Sequence, residues 1–222
     1  MALEIIEQET GPQPVATIII LHGLGADGND FVPIAGELVL SAVGPVRFVF
    51  PSAPVIPVTI NNGYRMRAWY DVLVTDFGPR EDEPGLRSSM DAVEQLLARE
   101  RARGIPAHRI VLAGFSQGCA MALLTGIRHA DRLAGIVGMS GYLPLSDRSA
   151  AERSEASLLT PIFLAHGEQD NMVQPRRGEA ARDTLQAIGY QVEWHTYPMA
   201  HSVCPQEVAD LNRWLLRVLA PA

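Results

Sequence analysis

The stretch Gly114-Phe115-Ser116-Gln117-Gly118 constrains this chain more than any other, because of what flanks it. Residues 109–113 read as a short buried strand, and residues 117–126 as a helix of small and apolar side chains. A strand entering a helix through Gly-x-Ser-x-Gly must turn sharply, with the serine at the tip of the turn. The two glycines are steric requirements, since strand and helix approach closely only where Cβ atoms are missing. Ser116 is therefore expected at the C-terminal edge of a sheet with the positive end of a helix beneath it. Such a turn is a nucleophile elbow.

The rest of the chain supplies the sheet. Strand-like runs at 3–9, 14–21, 46–50, 110–113, 133–139, 161–165 and 191–197 alternate with helical patterns at 31–40, 86–103, 179–188 and 205–219. The helix at 31–40 has Asn29 or Asp30 as its expected cap, with Phe31, Ile34, Ala35 and Leu38 facing inward. Gly104 stops the helix at 86–103, and Pro205 takes a tolerated first-turn position. The first two strands, joined through Thr10-Gly11-Pro12, are expected to pair antiparallel. Elsewhere, strands linked by helices predict a mainly parallel sheet covered on both faces, with the strand C-termini along one edge. Residues 51–85 carry Tyr64, Trp69, Tyr70 and Phe77 without a sustained period, and a loop region of that length is expected to be functional.

Composition limits the function classes. The 222 residues fit one domain with a substantial core, and 47% hydrophobic with 19% charged residues is ordinary for a globular protein. Net charge is −7 and lysine is absent, so no basic footprint for nucleic acid is present. The start of the chain, Met1 to Glu7, has acids and no basic flank, which argues against a signal peptide or membrane span and for a cytoplasmic protein. Cys119 and Cys204 do not make a disulfide framework.

If Ser116 is a nucleophile, an acid and a histidine should follow it in chain order, each on a loop after a strand. The strand at 161–165 runs into His166-Gly167-Glu168-Gln169-Asp170, and the strand at 191–197 into Pro198-Met199-Ala200-His201. Asp170 and His201 can therefore meet Ser116 on one sheet edge. Glu168 is the nearest rival acid, with Asp147 on an earlier loop. His108 and His129 are expected at the surface, His195 packed within a strand, and His166 in a structural turn. In this arrangement His201 takes the serine proton, while Asp170 fixes the imidazole tautomer and stabilises its cation. Two backbone N–H groups should receive the developing oxyanion: that of Gln117, and that of Leu24 in His22-Gly23-Leu24-Gly25 after the second strand. A metal site is not expected, because His201 and Cys204 lack a second ligand pair. A dinucleotide site fails as well, for want of an acid at the end of the strand at 46–50.

With these residues in place, the sequence resembles the carboxylesterases and acyl-protein thioesterases, a group of small α/β-hydrolases. The resemblance spans nearly the whole chain. It rests on Leu21-His22-Gly23-Leu24-Gly25-Ala26-Asp27-Gly28, Ala68-Trp69-Tyr70-Asp71, the Ser116 motif, His166-Gly167 with Asp170, and Tyr197-Pro198-Met199-Ala200-His201. It implies an α/β-hydrolase fold without a large cap domain, the triad Ser116, Asp170 and His201, oxyanion donors Leu24 and Gln117, and no cofactor. It implies an ester or acyl thioester as small-molecule substrate, with carboxylic esters of short to medium chain ranked first for want of a cap and acyl-protein thioesters of longer chain second. It also implies a homodimer as an assembly open to the family, and residues 51–85 as loops lining the acyl side of the cleft. Val55, Ile56, Trp69, Leu73 and Phe77 are the lining residues expected there, with Tyr142 at the border of the cleft. Where the family often has glycine this chain has Cys119, expected as a small buried residue behind the elbow.

Overall fold

The run Ala-Thr-Ile-Ile-Ile-Leu at Ala16–Leu21 is buried on both faces, which only a central strand allows. In the computed structural model, which describes residues 3–73 and 81–220, it is strand β2 of a seven-stranded sheet. The other members are β1 (Glu4–Glu9), β3 (Val46–Ser52), β6 (Ile110–Phe115), β7 (Gly135–Met139), β8 (Ile162–Gly167) and β9 (Val192–Tyr197). Their order is β1-β3-β2-β6-β7-β8-β9, and all pairs except β1 with β3 are parallel. Helices α1 (Val32–Glu37), α2 (Glu83–Ala102), α3 (Gln117–Gly126), α5 (Pro175–Ala187) and α6 (Pro205–Val218) cover it, and α4 (Ser149–Glu152) is a single turn.

Alternation along β2 divides the core. Ile19 and Leu21 join α2, α3 and α5 on one face, while Ile18 and Ile20 join α1 and α6 on the other. Helix α3 is buried along its whole length between the sheet and α2, as its small and apolar composition requires. Among the described residues no helix is long and apolar enough to cross a membrane.

The first expected pairing is corrected. β1 pairs antiparallel with β3 and not with β2, whose two sides are taken by β3 and β6. The half-exposed, acid-bearing β1 suits an edge, whereas β2 needs neighbours on both sides. Thr10 pins the register, its N–H donating to Val46 O and its Oγ1 accepting from Val46 N–H.

Three further differences concern local structure. The stretch at 51–85 contains a hairpin of β4 (Val55–Val58) and β5 (Tyr64–Arg67), turned by Asn62 and Gly63 at positive φ. The helix expected at 31–40 is shorter, because a 3-10 turn at Gly28–Phe31 precedes it, capped by Asp27 accepting from Asn29 N–H. His129 is buried, not at the surface, and its Nδ1 bonds Glu94 at 2.8 Å.

Near the start of α6, Glu207 is fully buried, and neither carboxylate oxygen has a well-formed hydrogen bond. Burial pushes its carboxyl up to about 8. Unfolding releases that carboxyl to its ordinary value of 4.5, so the folded state holds the proton more tightly between the two values. Stability tied to this group is full below 4.5 and is lost as pH rises through about 8. Glu207→Gln should therefore melt with the parent at pH ~4 and above it at pH ~9, in thermal unfolding followed by circular dichroism. Parallel melting curves across that range would contradict the assignment.

Candidate active site

The elbow is built by exclusion of volume. A Cβ on Gly114 would lie 2.1 Å from Gly118 O, and one on Gly118 would lie 2.0 Å from Leu21 O. Any side chain at either position would separate β6, α3 and β2. The turn places Ser116 at φ 55°, a conformation L-residues seldom adopt, and its N–H is held by Met139 O at 2.8 Å. The strain is retained because β2, β7 and α3 confine the turn from three sides.

The loops after β8 and β9 bring their side chains to the serine. Ser116 Oγ lies 2.9 Å from His201 Nε2, and His201 Nδ1 lies 2.7 Å from Asp170 Oδ2. The second carboxylate oxygen of Asp170 accepts from the N–H groups of Met172 and Val173, both at 2.9 Å. These bonds aim Oδ2 at the imidazole, and Asp170 is buried. Phe115 packs against the His201 ring with centroids 4.8 Å apart. A hydroxyl, an imidazole and a carboxylate thus form one hydrogen-bonded series capable of moving the serine proton to the ring.

Rival residues are employed elsewhere. Glu168 accepts from Thr196 Oγ1, and Asp147 lies in a 3-10 turn at Ser146–Arg148. His166 is buried, and its Nε2 donates to Val173 O at 2.7 Å, tying down the loop that carries Asp170. His195 stacks between Phe163 and Tyr197. Cys119 is buried behind the elbow, and burial pushes its thiol up to about 12, so it is uncharged.

Facing Ser116 is the turn after β2. An ideal Cβ on Gly23 would sit 3.3 Å from Ser116 Cβ, so this turn lies directly against the serine. The N–H groups of Leu24 and Gln117 have no acceptor among the described residues. An oxyanion needs two such unengaged backbone donors, and these two flank Ser116, one in the turn against it and one at the next residue.

Sequence reasoning missed the side chain of Gln117. Its Oε1 accepts from Trp69 N–H and its Nε2 donates to Tyr70 O, both at 2.8 Å, so it holds the 69–70 segment as a neighbouring strand would. Trp69 is 1% exposed, and its indole N–H donates to His22 O at 3.0 Å. It therefore lies too deep to form an open wall of the cleft and acts as a strut between the elbow and the turn after β2. A buried Trp finds a partner for its N–H, and that requirement was the available signal.

The other expected lining residues differ in placement. Val55 and Leu73 are exposed and Ile56 is half-buried, while Phe77 lies outside the described residues. Tyr142 bonds Tyr70 through the two hydroxyls at 2.7 Å, with the Arg177 guanidinium 3.6 Å from its ring centre. It borders a cavity of about 610 Å³ that Glu81, Leu145, Arg148 and Arg177 also line.

The chain as a whole is matched by known proteins. The model of the phospholipase/carboxylesterase family matches residues 2–219. Acyl-protein thioesterase 1 of Yarrowia lipolytica is 38% identical over 205 residues, covering 90% of each chain. Acyl-protein thioesterase 1 of Mycosarcoma maydis is 38% identical over 230 residues, covering 97% of this chain and 96% of its own. The crystal structure of Arabidopsis thaliana SOBER1 superposes with a TM-score of 0.87 at 32% identity, covering 92% of this chain and 99% of that one. On the extent of these matches, the chain belongs to the phospholipase/carboxylesterase family.

Proposed function

We propose that this ester and thioester hydrolase works through a catalytic triad of Ser116, His201 and Asp170, and that acyl thioesters carried on protein are its principal substrates. The observation that carries the mechanism is the hydrogen-bonded series from Ser116 Oγ through the His201 ring to Asp170 Oδ2, with separations of 2.9 and 2.7 Å. His201 takes the serine proton as Oγ attacks the acyl carbon. The oxyanion moves into reach of the Leu24 and Gln117 N–H groups, and Asp170 stabilises the imidazolium. Collapse expels the thiol or alcohol with the proton from His201 and leaves an acyl-serine. Water, activated by the same imidazole, then releases the acid.

The sequence alone ranks oxygen esters of short to medium chain first. The relatives named acyl-protein thioesterase 1, similar over most of both chains, move thioesters ahead. Chemistry agrees, since a thiol leaving group of pKa about 8.5 departs as a thiolate far more readily than an alkoxide. Among the described residues no large cap domain is present, which favours access by an acyl group attached to a macromolecule.

Hydrolysis of an S-acyl peptide beside p-nitrophenyl esters from acetate to palmitate tests both parts. Ser116→Ala should lower kcat on every substrate by roughly 10⁴–10⁶-fold, and Asp170→Asn by about 10⁴-fold. The S-acyl peptide should give a higher kcat/KM than the O-acyl serine peptide of the same sequence and chain length, the p-nitrophenyl series serving to read chain-length preference. Full activity in Ser116→Ala would overturn the mechanism, and turnover of oxygen esters alone would overturn the substrate.

Cys119 offers a separate check. A thiol held up to about 12 stays protonated at neutral pH, so iodoacetamide should leave Cys119 unalkylated and Cys119→Ala should keep kcat within ~3-fold. Inactivation that tracks alkylation of Cys119 would contradict this.

A further inference from the structure

Every polar atom of His22 outside its amide N–H is engaged, although the residue lies one position ahead of the turn facing Ser116. The ring is 1% exposed. Its Nε2 accepts from Ala53 N–H at 2.9 Å, so that nitrogen carries no proton. The neutral ring's single proton is then on Nδ1, which is 2.6 Å from Gly23 O and donates to it. Burial lowers the pKa of this imidazole, opposed by the bond to Gly23 O and the charges of Asp27 and Asp30 and aided by Arg67, and keeps it neutral. The backbone carbonyl of His22 accepts from Trp69 Nε1 at 3.0 Å.

The bond to Gly23 O has a directional consequence. Gly23 C=O and Leu24 N–H belong to one planar trans peptide, so the two groups point in opposite directions. Fixing the carbonyl toward the His22 ring turns the N–H away from it, on a turn whose Gly23 lies against Ser116 Cβ. Ala26 N–H adds a bond to the same carbonyl at 3.3 Å, and Gly25 N–H anchors the turn to Arg67 O at 2.8 Å. Without these bonds the peptide could rotate, because its plane turns about ψ of Gly23, where no Cβ offers resistance.

We propose that His22 is a positioning residue for catalysis: locked as its Nδ1–H tautomer, it holds the Gly23–Leu24 peptide so that the Leu24 N–H is aimed at the oxyanion. This rests on the reading of Leu24 as an oxyanion donor given above. His22 touches neither substrate nor the reacting atoms. It acts on the transition state through one peptide plane, so its loss should appear in kcat and hardly in KM.

Two amide substitutions separate the two ring contacts. The Asn side-chain N–H₂ reaches about the place of Nδ1, so His22→Asn keeps the donor to Gly23 O and loses the acceptor for Ala53. The Gln side-chain carbonyl reaches about the place of Nε2, so His22→Gln keeps the acceptor for Ala53 and loses the donor to Gly23 O. His22→Gln should lower kcat by roughly 10–100-fold at little-changed KM, below or near the loss for deleting one oxyanion donor. His22→Asn should stay within ~5-fold of the parent, rescuing the function through the retained donor. Equal kcat in the two variants, or the reverse order, would overturn the proposal. Because His22→Gln could fail to fold, ¹⁵N NMR of the parent protein provides a second test. A proton on Nδ1 of His22 is expected, and a proton on Nε2 would overturn the proposal whatever the variants do. Activity surviving in Ser116→Ala would sink the parent reading, whereas Ser116-dependent turnover with equal His22 variants would sink this inference alone.

Discussion

The contact between α3 and the end of β2 sets the terms for the rest of the site. Gly118 sits where a Cβ would fall 2.0 Å from Leu21 O and 2.7 Å from His22 O. Gly114 likewise sits against Gly118 O. Helix, elbow strand and second strand therefore approach at backbone distance, and Ser116 is forced to φ 55° between them. One close approach thus fixes where the hydroxyl points, brings the positive end of α3 beneath it, and seats the turn after β2 against its Cβ. The backbone strain costs on the order of 1–3 kcal/mol, a cost that the fully buried packing of α3 offsets.

Around that contact the protein uses buried polar side chains as rigid spacers. Gln117 holds the Trp69–Tyr70 backbone, Trp69 holds the His22 carbonyl, and His22 holds Gly23. Asp170 is aimed by two backbone N–H groups and its loop is tied by His166. Each bond lies in a water-poor setting where an unsatisfied partner would be costly, so each admits few alternative geometries. The proposed oxyanion donors and the proposed triad are placed by separate sets of such bonds. Damage to one set need not disturb the other.

Much of this was legible in the sequence because it depends on local pattern. The alternation of apolar strands and amphipathic helices predicts the parallel sheet, and the glycines at 114 and 118 predict the elbow and the limits of α3. The loops bearing Asp170 and His201 follow from chain order and from strand C-termini sharing one edge. The failures are non-local. Whether β1 pairs with β2 or β3 depends on which strand has an open side, and no residue of β1 records that. Pro54 and Pro57 mask the hairpin at 55–67 in the sequence, where Asn62-Gly63 is its one turn signal. Trp69 looked like a cleft wall because aromatic residues in long loops often are, and only its buried indole N–H reveals it as a strut.

The central claim is that the acyl group passes through Ser116 Oγ. Rapid mixing with an acyl thioester, acid quenching and peptide mapping by mass spectrometry would test it most directly. The account predicts the acyl mass on the peptide containing Ser116, bound through an oxygen ester that resists hydroxylamine at neutral pH, and no adduct when His201 is present but Ser116 is alanine. An acyl group carried on Cys119, or turnover with no covalent adduct under any quench time, would contradict it.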